Sequence, residues 1–224
     1  MPYDDVQKFS EAAVNKAKLL KEQPGKYFLR SVMAGFFIVV AMIFSNVVGN
    51  VFQGSDPAWG KLLGGIVFAI AVLLIVFIGA ELFTGNNLVM AFGAFDKKVS
   101  WTQVGKVWLV SYIGNFVGCL ILSVIFVRAI LCNFFVCLAV ACGMKCKNEV
   151  AKFFMIILCI SGFVVAGFEH CIANMATFVT AALLVPGGIS LTAALKSMVI
   201  VTIGNMIGGG LLLAWPLRMM SADK

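Results

Sequence analysis

Long apolar runs separated by short polar stretches set the pattern of the chain, and two of the runs are interrupted at similar places. Six apolar segments can be drawn, roughly 29–52, 62–83, 107–127, 128–143, 153–168 and 197–217, with shorter apolar pieces after the second and the fifth. Each approaches the ~20 residues that a helix needs to cross a hydrocarbon core about 30 Å thick. A backbone in lipid has no water to satisfy its N–H and C=O groups, so runs of this kind are helices. Residues 3–22 differ: Val6, Phe9, Ala13, Ala17 and Leu20 recur at helical spacing among lysines and acids. That pattern predicts an amphipathic helix on the inner membrane surface, ended by Pro24-Gly25 before the first span.

The runs repeat. "RSVMAGFF" (30–37) recurs as "RAILCNFF" (128–135), "GAELFTGN" (79–86) as "GFEHCIAN" (167–174), and "YIGNFVGCLIL" (112–122) as "TIGNMIGGGLL" (202–212). Matches in one order divide the spans into two sets of three. An odd number brings the second set into the membrane from the opposite side, so the repeat is inverted about an axis in the membrane plane. The expected fold is an all-α polytopic membrane protein of six spans in a 3+3 arrangement. A cytoplasmic amphipathic helix at 1–27 precedes a first repeat at 28–127 and a second, inverted repeat at 128–219, with a cytoplasmic tail at 220–224.

One junction departs from this plan. From Val107 to Gly143 the chain is apolar for about 37 residues, roughly 55 Å as helix, and no Gly/Pro/Asn turn lies near Val127-Arg128. The first half has roughly 29 residues ahead of Arg30, whereas the second has no counterpart ahead of Arg128. An interhelical segment is therefore expected to be missing between Val127 and Arg128.

Composition removes the soluble alternatives. Hydrophobic residues make up 62% of the chain and charged ones 12%, with a mean hydropathy of +1.03, a balance that no soluble domain of this size needs. The net charge of +7 does not form a basic stripe interleaved with aromatics, so nucleic acid is not an expected partner; the lipid bilayer is. With the N-terminus inside, the inner segments hold Lys8, Lys16, Lys18, Lys21, Lys26, Arg30, Lys97, Lys98, Lys106, Lys145, Lys147, Lys152, Arg218 and Lys224, and the outer ones only Lys61, Arg128 and Lys196. This asymmetry predicts both termini in the cytoplasm. No early apolar run with a small-residue cleavage site is present, so no cleavable signal peptide is expected.

The chemistry sits at the interruptions. A break in a span survives only where it lines a cavity or is buried in protein, so two symmetric breaks point to a central pathway. Gly79, Gly85 and Gly167 let the chain turn, and half-helix N-termini carry positive dipole ends that favour an anion. Glu81 and Glu169 are expected to cap backbone N–H groups of their own loops; the other reading makes them proton carriers. An imidazole can donate a hydrogen bond or exchange a proton near neutral pH, so His170, the only histidine, is expected to donate to a bound anion or pass it a proton. Thr84 occupies the matching break, with a hydroxyl able to hydrogen-bond a small ion, and Asn86 and Asn174 fit as loop-fixing amides. Cys119, Cys132, Cys137 and Cys159 read as small apolar side chains within spans. The Cys142/Cys146 spacing is a weak zinc signal that one histidine and no CxxC pair do not support, so no metal or other cofactor is expected.

Through "GAELFTGN", "RAILCN" at 128–133, "GFEHCIAN" and the paired "IGN" motifs, the chain resembles the formate/nitrite transporter family over essentially its whole length, and within it most resembles the hydrosulfide channels. The resemblance implies an aquaporin-like six-helix protomer in the bacterial inner membrane, assembled as a homopentamer with one pore per protomer. It makes His170 the central pore histidine, Thr84 its partner on the opposite loop, and Asn133 the pore asparagine. It places Leu82 with Val136 at a cytoplasmic constriction and Phe68 with Phe163 at a periplasmic one. Periodicity alone leaves Leu82, Phe68 and Phe163 as ordinary packing. A lysine that the family carries ahead of its "RAILCN"-like motif falls in the stretch absent here. The implied function is a membrane channel for small monovalent anions, most of all hydrosulfide, with formate or nitrite as the alternative.

Other classes fit less well. A neutral-solute channel would be marked by paired Asn-Pro-Ala motifs at the half-helices, and the sequence has none. A membrane-embedded enzyme using Glu169 and His170 as an acid/base pair would leave the repeat unexplained, and neighbours in an extended loop point apart.

Overall fold

The computed structural model describes residues 3–124, 128–185 and 187–221, and every regular element among them is helical. α1 (Tyr3–Glu22) is followed by α2 (Pro24–Val51), α3 (Pro57–Phe68) and α4 (Ile70–Ile78), then α5 (Phe83–Phe95) and α6 (Trp101–Val124). α7 (Arg128–Lys145), α8 (Glu149–Val165), α9 (Cys171–Leu184) and α10 (Leu191–Met206) come next, and a π-helical stretch, Ile207–Ala214, leads into α11 (Trp215–Met220). Local chemistry sets several starts. The Asp56 carboxylate accepts from the Ala58 N–H at 3.0 Å with Pro57 following as first helical residue, and the Asn148 amide oxygen accepts from the Ala151 N–H at 3.0 Å.

Five of these stretches are long and apolar enough to cross a membrane: Pro24–Val51, Pro57–Ile78, Trp101–Leu122, Arg128–Lys145 and Leu191–Met220. The remaining apolar run is α8, whose 17 residues rise about 25 Å, followed after a break by α9. The chain is thus a multi-pass helical membrane protein. α6 is described to Val124 and α7 opens at Arg128. Val127, where a segment is expected to be missing, lies outside the described residues, as do residues 222–224 of the expected tail.

Contacts group the chain into two units. One comprises the residues up to Val39, Ala71–Val124 and those from Met219; the other comprises Val40–Ile70 and the stretch ending at Arg218. In the first, α1 packs on α5 and α6, and Ala13, Ala17, Tyr27, Met90, Ala94, Val99, Val104 and Val107 form a shared core. Phe9 stacks on Phe92 with ring centroids 4.9 Å apart, Ser10 Oγ donates to the Asp96 carboxylate at 2.5 Å, and Gly93 lies directly against Ala13. The apolar face of α1, expected on a lipid surface, is therefore spent on protein: Ala13 is fully buried and Ala17 nearly so. In the second unit α7 is the centre, buried through Leu131, Phe134, Phe135 and Leu138 against α8, α10 and the π-helical stretch.

Glycines set how closely the helices approach. A Cβ on Gly118 would overlap the Val32 carbonyl oxygen, and one on Gly208 would overlap that of Ile130. These pairs occupy corresponding positions of the sequence repeat, so α6 meets α2 as the π-helical stretch meets α7.

Candidate functional site

Both expected interruptions are present. After α4 the chain turns at Gly79 (φ +85°), runs non-helically to Leu82 and resumes as α5 at Phe83; after α8 it turns at Gly167 (φ +65°), runs non-helically through His170 and resumes as α9 at Cys171. Positive φ is where a Cβ clashes with the following carbonyl, which is why glycine opens each loop.

The groups that hold these loops are two asparagines that the sequence marks only by their recurrence in the repeat. Asn115 Nδ2 donates to the carbonyls of Ser31 (2.7 Å) and Glu81 (2.9 Å), and its Oδ1 accepts from the Phe83 N–H (2.9 Å). Asn205 Nδ2 donates to the carbonyls of Ala129 (2.7 Å) and Glu169 (2.9 Å), and its Oδ1 accepts from the Cys171 N–H (3.0 Å). An interrupted helix leaves both N–H and C=O groups without partners, and a primary amide serves both kinds at once, which a carboxylate cannot.

The glutamates accordingly do something other than the expected capping of their own loops' N–H groups. Glu81, 5% exposed, takes Lys16 Nζ of α1 at 2.5 Å and the Tyr27 hydroxyl at 3.3 Å. Asn86 Nδ2 donates to that same hydroxyl oxygen at 2.9 Å, so Glu81 and Asn86 are joined through Tyr27. Glu169 Oε2 accepts from Asn174 Nδ2 at 3.1 Å, tying the second loop to the first turn of α9. A buried carboxylate needs a cation or several donors, and Glu81 takes a lysine from α1; the half-buried Glu169 takes an amide from its own helix.

His170 is the N-cap of α9. Its Nδ1 accepts from the N–H groups of Ile172 (3.1 Å) and Ala173 (3.4 Å). A ring nitrogen that accepts carries no proton, so the ring hydrogen is on Nε2, which is left as a donor. The ring packs beside Phe163, centroids 5.8 Å apart.

The structure thus brings together His170 with Phe163, Glu169 with Asn174, and Glu81 with Asn86. Asn133, on α7, is half-buried and donates through Nδ2 to the Asn205 carbonyl at 2.7 Å, with Gly209 directly against its side chain. Thr84 is exposed in the first turn of α5 and Leu82 half-buried at its N-cap, both in the first unit. Leu82 lines a cleft of about 360 Å³ with Lys16, Arg30, Glu81 and Gly85. Val136 on α7 and Phe68 at the end of α3 are half-buried and belong with His170 and Phe163 to the second unit.

Comparison with known proteins agrees with this architecture. The family model described as formate/nitrite transporter matches residues 3–127 and 122–219, so the match divides at the junction where a segment is expected to be missing. The uncharacterized transporter YwcJ of Bacillus subtilis 168 is 29% identical over 251 positions, covering 98% of each chain. The formate channel FocA of Escherichia coli K12 is 32% identical over 268 positions, covering 95% of this chain and 92% of its own. Both alignments are longer than the 224 residues here, so these relatives carry residues with no counterpart in this chain. A solved FNT family ion channel superposes with a TM-score of 0.52 at 25% identity, covering 99% of this chain and all of its own. The chain belongs to the formate/nitrite transporter family.

Proposed function

We propose that this chain is a channel for small monovalent weak-acid anions, hydrosulfide first, with formate or nitrite as the alternative, in which His170 is the proton-handling group. The observation that carries the reading is the state of that ring: Nδ1 is engaged by the first turn of α9, which leaves Nε2–H as the donor. A donor at the start of a half-helix stabilises an anion that has lost its water. Thr84 supplies the facing hydroxyl, Asn133 a further pore amide, and Leu82 with Val136 and Phe68 with Phe163 the apolar rings that exclude hydrated ions. A weak-acid anion adds a route closed to chloride: a proton handed on from Nε2, and replaced on the ring from water, makes it neutral. The place given to hydrosulfide rests on the likeness to the family's hydrosulfide channels. The formate alternative is supported by the relative named a formate channel.

The same reading takes the protomer as an inverted 3+3 repeat of six spans with an aquaporin-like plan, a homopentamer in the bacterial inner membrane with both termini inside. The lysine asymmetry supports this orientation. Cysteine labelling from either side of the membrane tests it, and an external C-terminus overturns it.

Flux into proteoliposomes tests the pore itself. Hydrosulfide, formate, nitrite and chloride are compared across a pH series for the native chain and His170→Asn. Asparagine is itself a strong N-cap, so this substitution keeps α9 while removing the titratable ring. The expected result is native flux that favours weak-acid anions and a variant whose flux no longer depends on pH. Chloride passing equally well, with the substitution without effect, overturns the reading.

A further inference from the structure

α1 and α6 enclose a cleft that the pore does not use. It has a volume of about 370 Å³ and is lined by Ala17, Leu20 and Lys21 of α1 and by Gln103, Lys106 and Val107 of α6. Lys21, Lys106 and Gln103 line it together with the apolar Ala17, Leu20 and Val107, and no carboxylate is among the lining residues. Like charges held at one cleft repel each other, and an anion between them relieves the repulsion.

The surface beyond the cleft indicates which anion. Below Lys106, Leu109, Ile113, Phe116 and Leu120 follow at steps of three and four residues, which puts them on one face of α6; they are 60, 45, 63 and 54% exposed. From Lys106 to Leu120 the stripe rises about 21 Å, more than the roughly 15 Å depth of one leaflet's hydrocarbon. At the head of α6, Trp101 is 58% exposed and packs edge-on to Phe95 with centroids 5.7 Å apart. An exposed tryptophan at the entry of a span marks the headgroup level. Lys106, one and a half turns deeper, has a stem long enough to return its charge to that level.

We propose that the α1/α6 cleft is a binding site for an anionic phospholipid of the inner leaflet. Lys21, Lys106 and Gln103 hold the headgroup phosphate, and an acyl chain lies along the Leu109–Leu120 stripe. A free phosphate would use only the cleft, and a zwitterionic lipid would bring its own cation against the two lysines. Occupancy would also pin α1, the helix that delivers Lys16 to Glu81.

Native mass spectrometry of the full chain, delipidated in detergent, tests this with phosphatidylglycerol, phosphatidylcholine and inorganic phosphate as probes. The expected result is retention of phosphatidylglycerol over both other probes. Lys21→Gln and Lys106→Gln each weaken it about fivefold and the pair about thirtyfold, while Lys61→Gln has no effect. Phosphatidylglycerol binding that survives in the double variant, or that phosphatidylcholine or phosphate matches, overturns the proposal as an adventitious or purely ionic interaction. Ile113→Ser with Phe116→Ser separates the stripe from a contact between copies of this chain. Weaker lipid binding at unchanged oligomer mass supports the proposal, and a loss of oligomer mass overturns it.

Discussion

Asn115 and Asn205 hold the two broken helices with the same three bonds: one accepted from the first N–H of the resumed helix, one donated to the glutamate carbonyl of the loop, and one donated to a carbonyl near the start of α2 or α7. The duplicated sequence is therefore a duplicated mechanical device. Replacing either by aspartate keeps an acceptor and removes both donors, stranding two carbonyls. Each variant should lose about 2–4 kcal/mol of unfolding free energy, by similar amounts at the two positions. Unfolding in detergent measures this, and an unchanged value at one position means that its loop is held by other groups.

Lys16 and Glu81 are a cation and an acid 65 residues apart, and the acid is the more buried partner. Lys16→Met takes this cation from the buried carboxylate and should cost about 3 kcal/mol, whereas Lys16→Met with Glu81→Gln should cost much less. A double-mutant cycle reads the coupling directly. Additive costs would show that the pair is not coupled.

Gly118 and Gly208 stand where a methyl group meets a carbonyl of the neighbouring helix. Alanine at either should cost about 1–3 kcal/mol through displacement of the helix pair. Gly105, also on α6, has nothing within 4 Å of its missing Cβ. Alanine there should be neutral or stabilising by up to about 1 kcal/mol, since it only removes a poor helix former. Melting temperatures of the three variants in one detergent make the comparison.

Gly79 and Gly167 open the loops at positive φ with free space around them, so their cost on substitution is conformational rather than steric. Alanine should cost about 1–2 kcal/mol at each. A melting temperature unchanged in both variants would mean that the loops reach these positions by another backbone path.

The breaks at Gly79 and Gly167 were legible in the sequence because a polar, glycine-containing interruption of an apolar run has few physical outcomes. The partners of the broken loops were not. Asn115 and Asn205 each lie within a helix, some thirty residues from the loop groups they satisfy and farther still from the Ser31 and Ala129 carbonyls, and only their recurrence in paired "IGN" motifs marked them. Nor could periodicity assign Lys16. It gives α1 an apolar face but does not say whether lipid or α5 covers it, and the Glu81 contact follows from that packing. The state of His170 depends on its being the residue just before α9, a boundary that no pattern in "GFEHCIAN" fixes to within one position.

The π-helical stretch Ile207–Ala214 has no twin, since α6 is α-helical throughout Trp101–Val124. A π-turn closes its bond over one more residue than an α-turn. The segments 112–122 and 202–212 pair residue for residue in sequence, yet beyond Gly118 and Gly208 the wider turn rotates the second segment's side chains away from the directions their counterparts take on α6, so one repeated stretch presents two different faces.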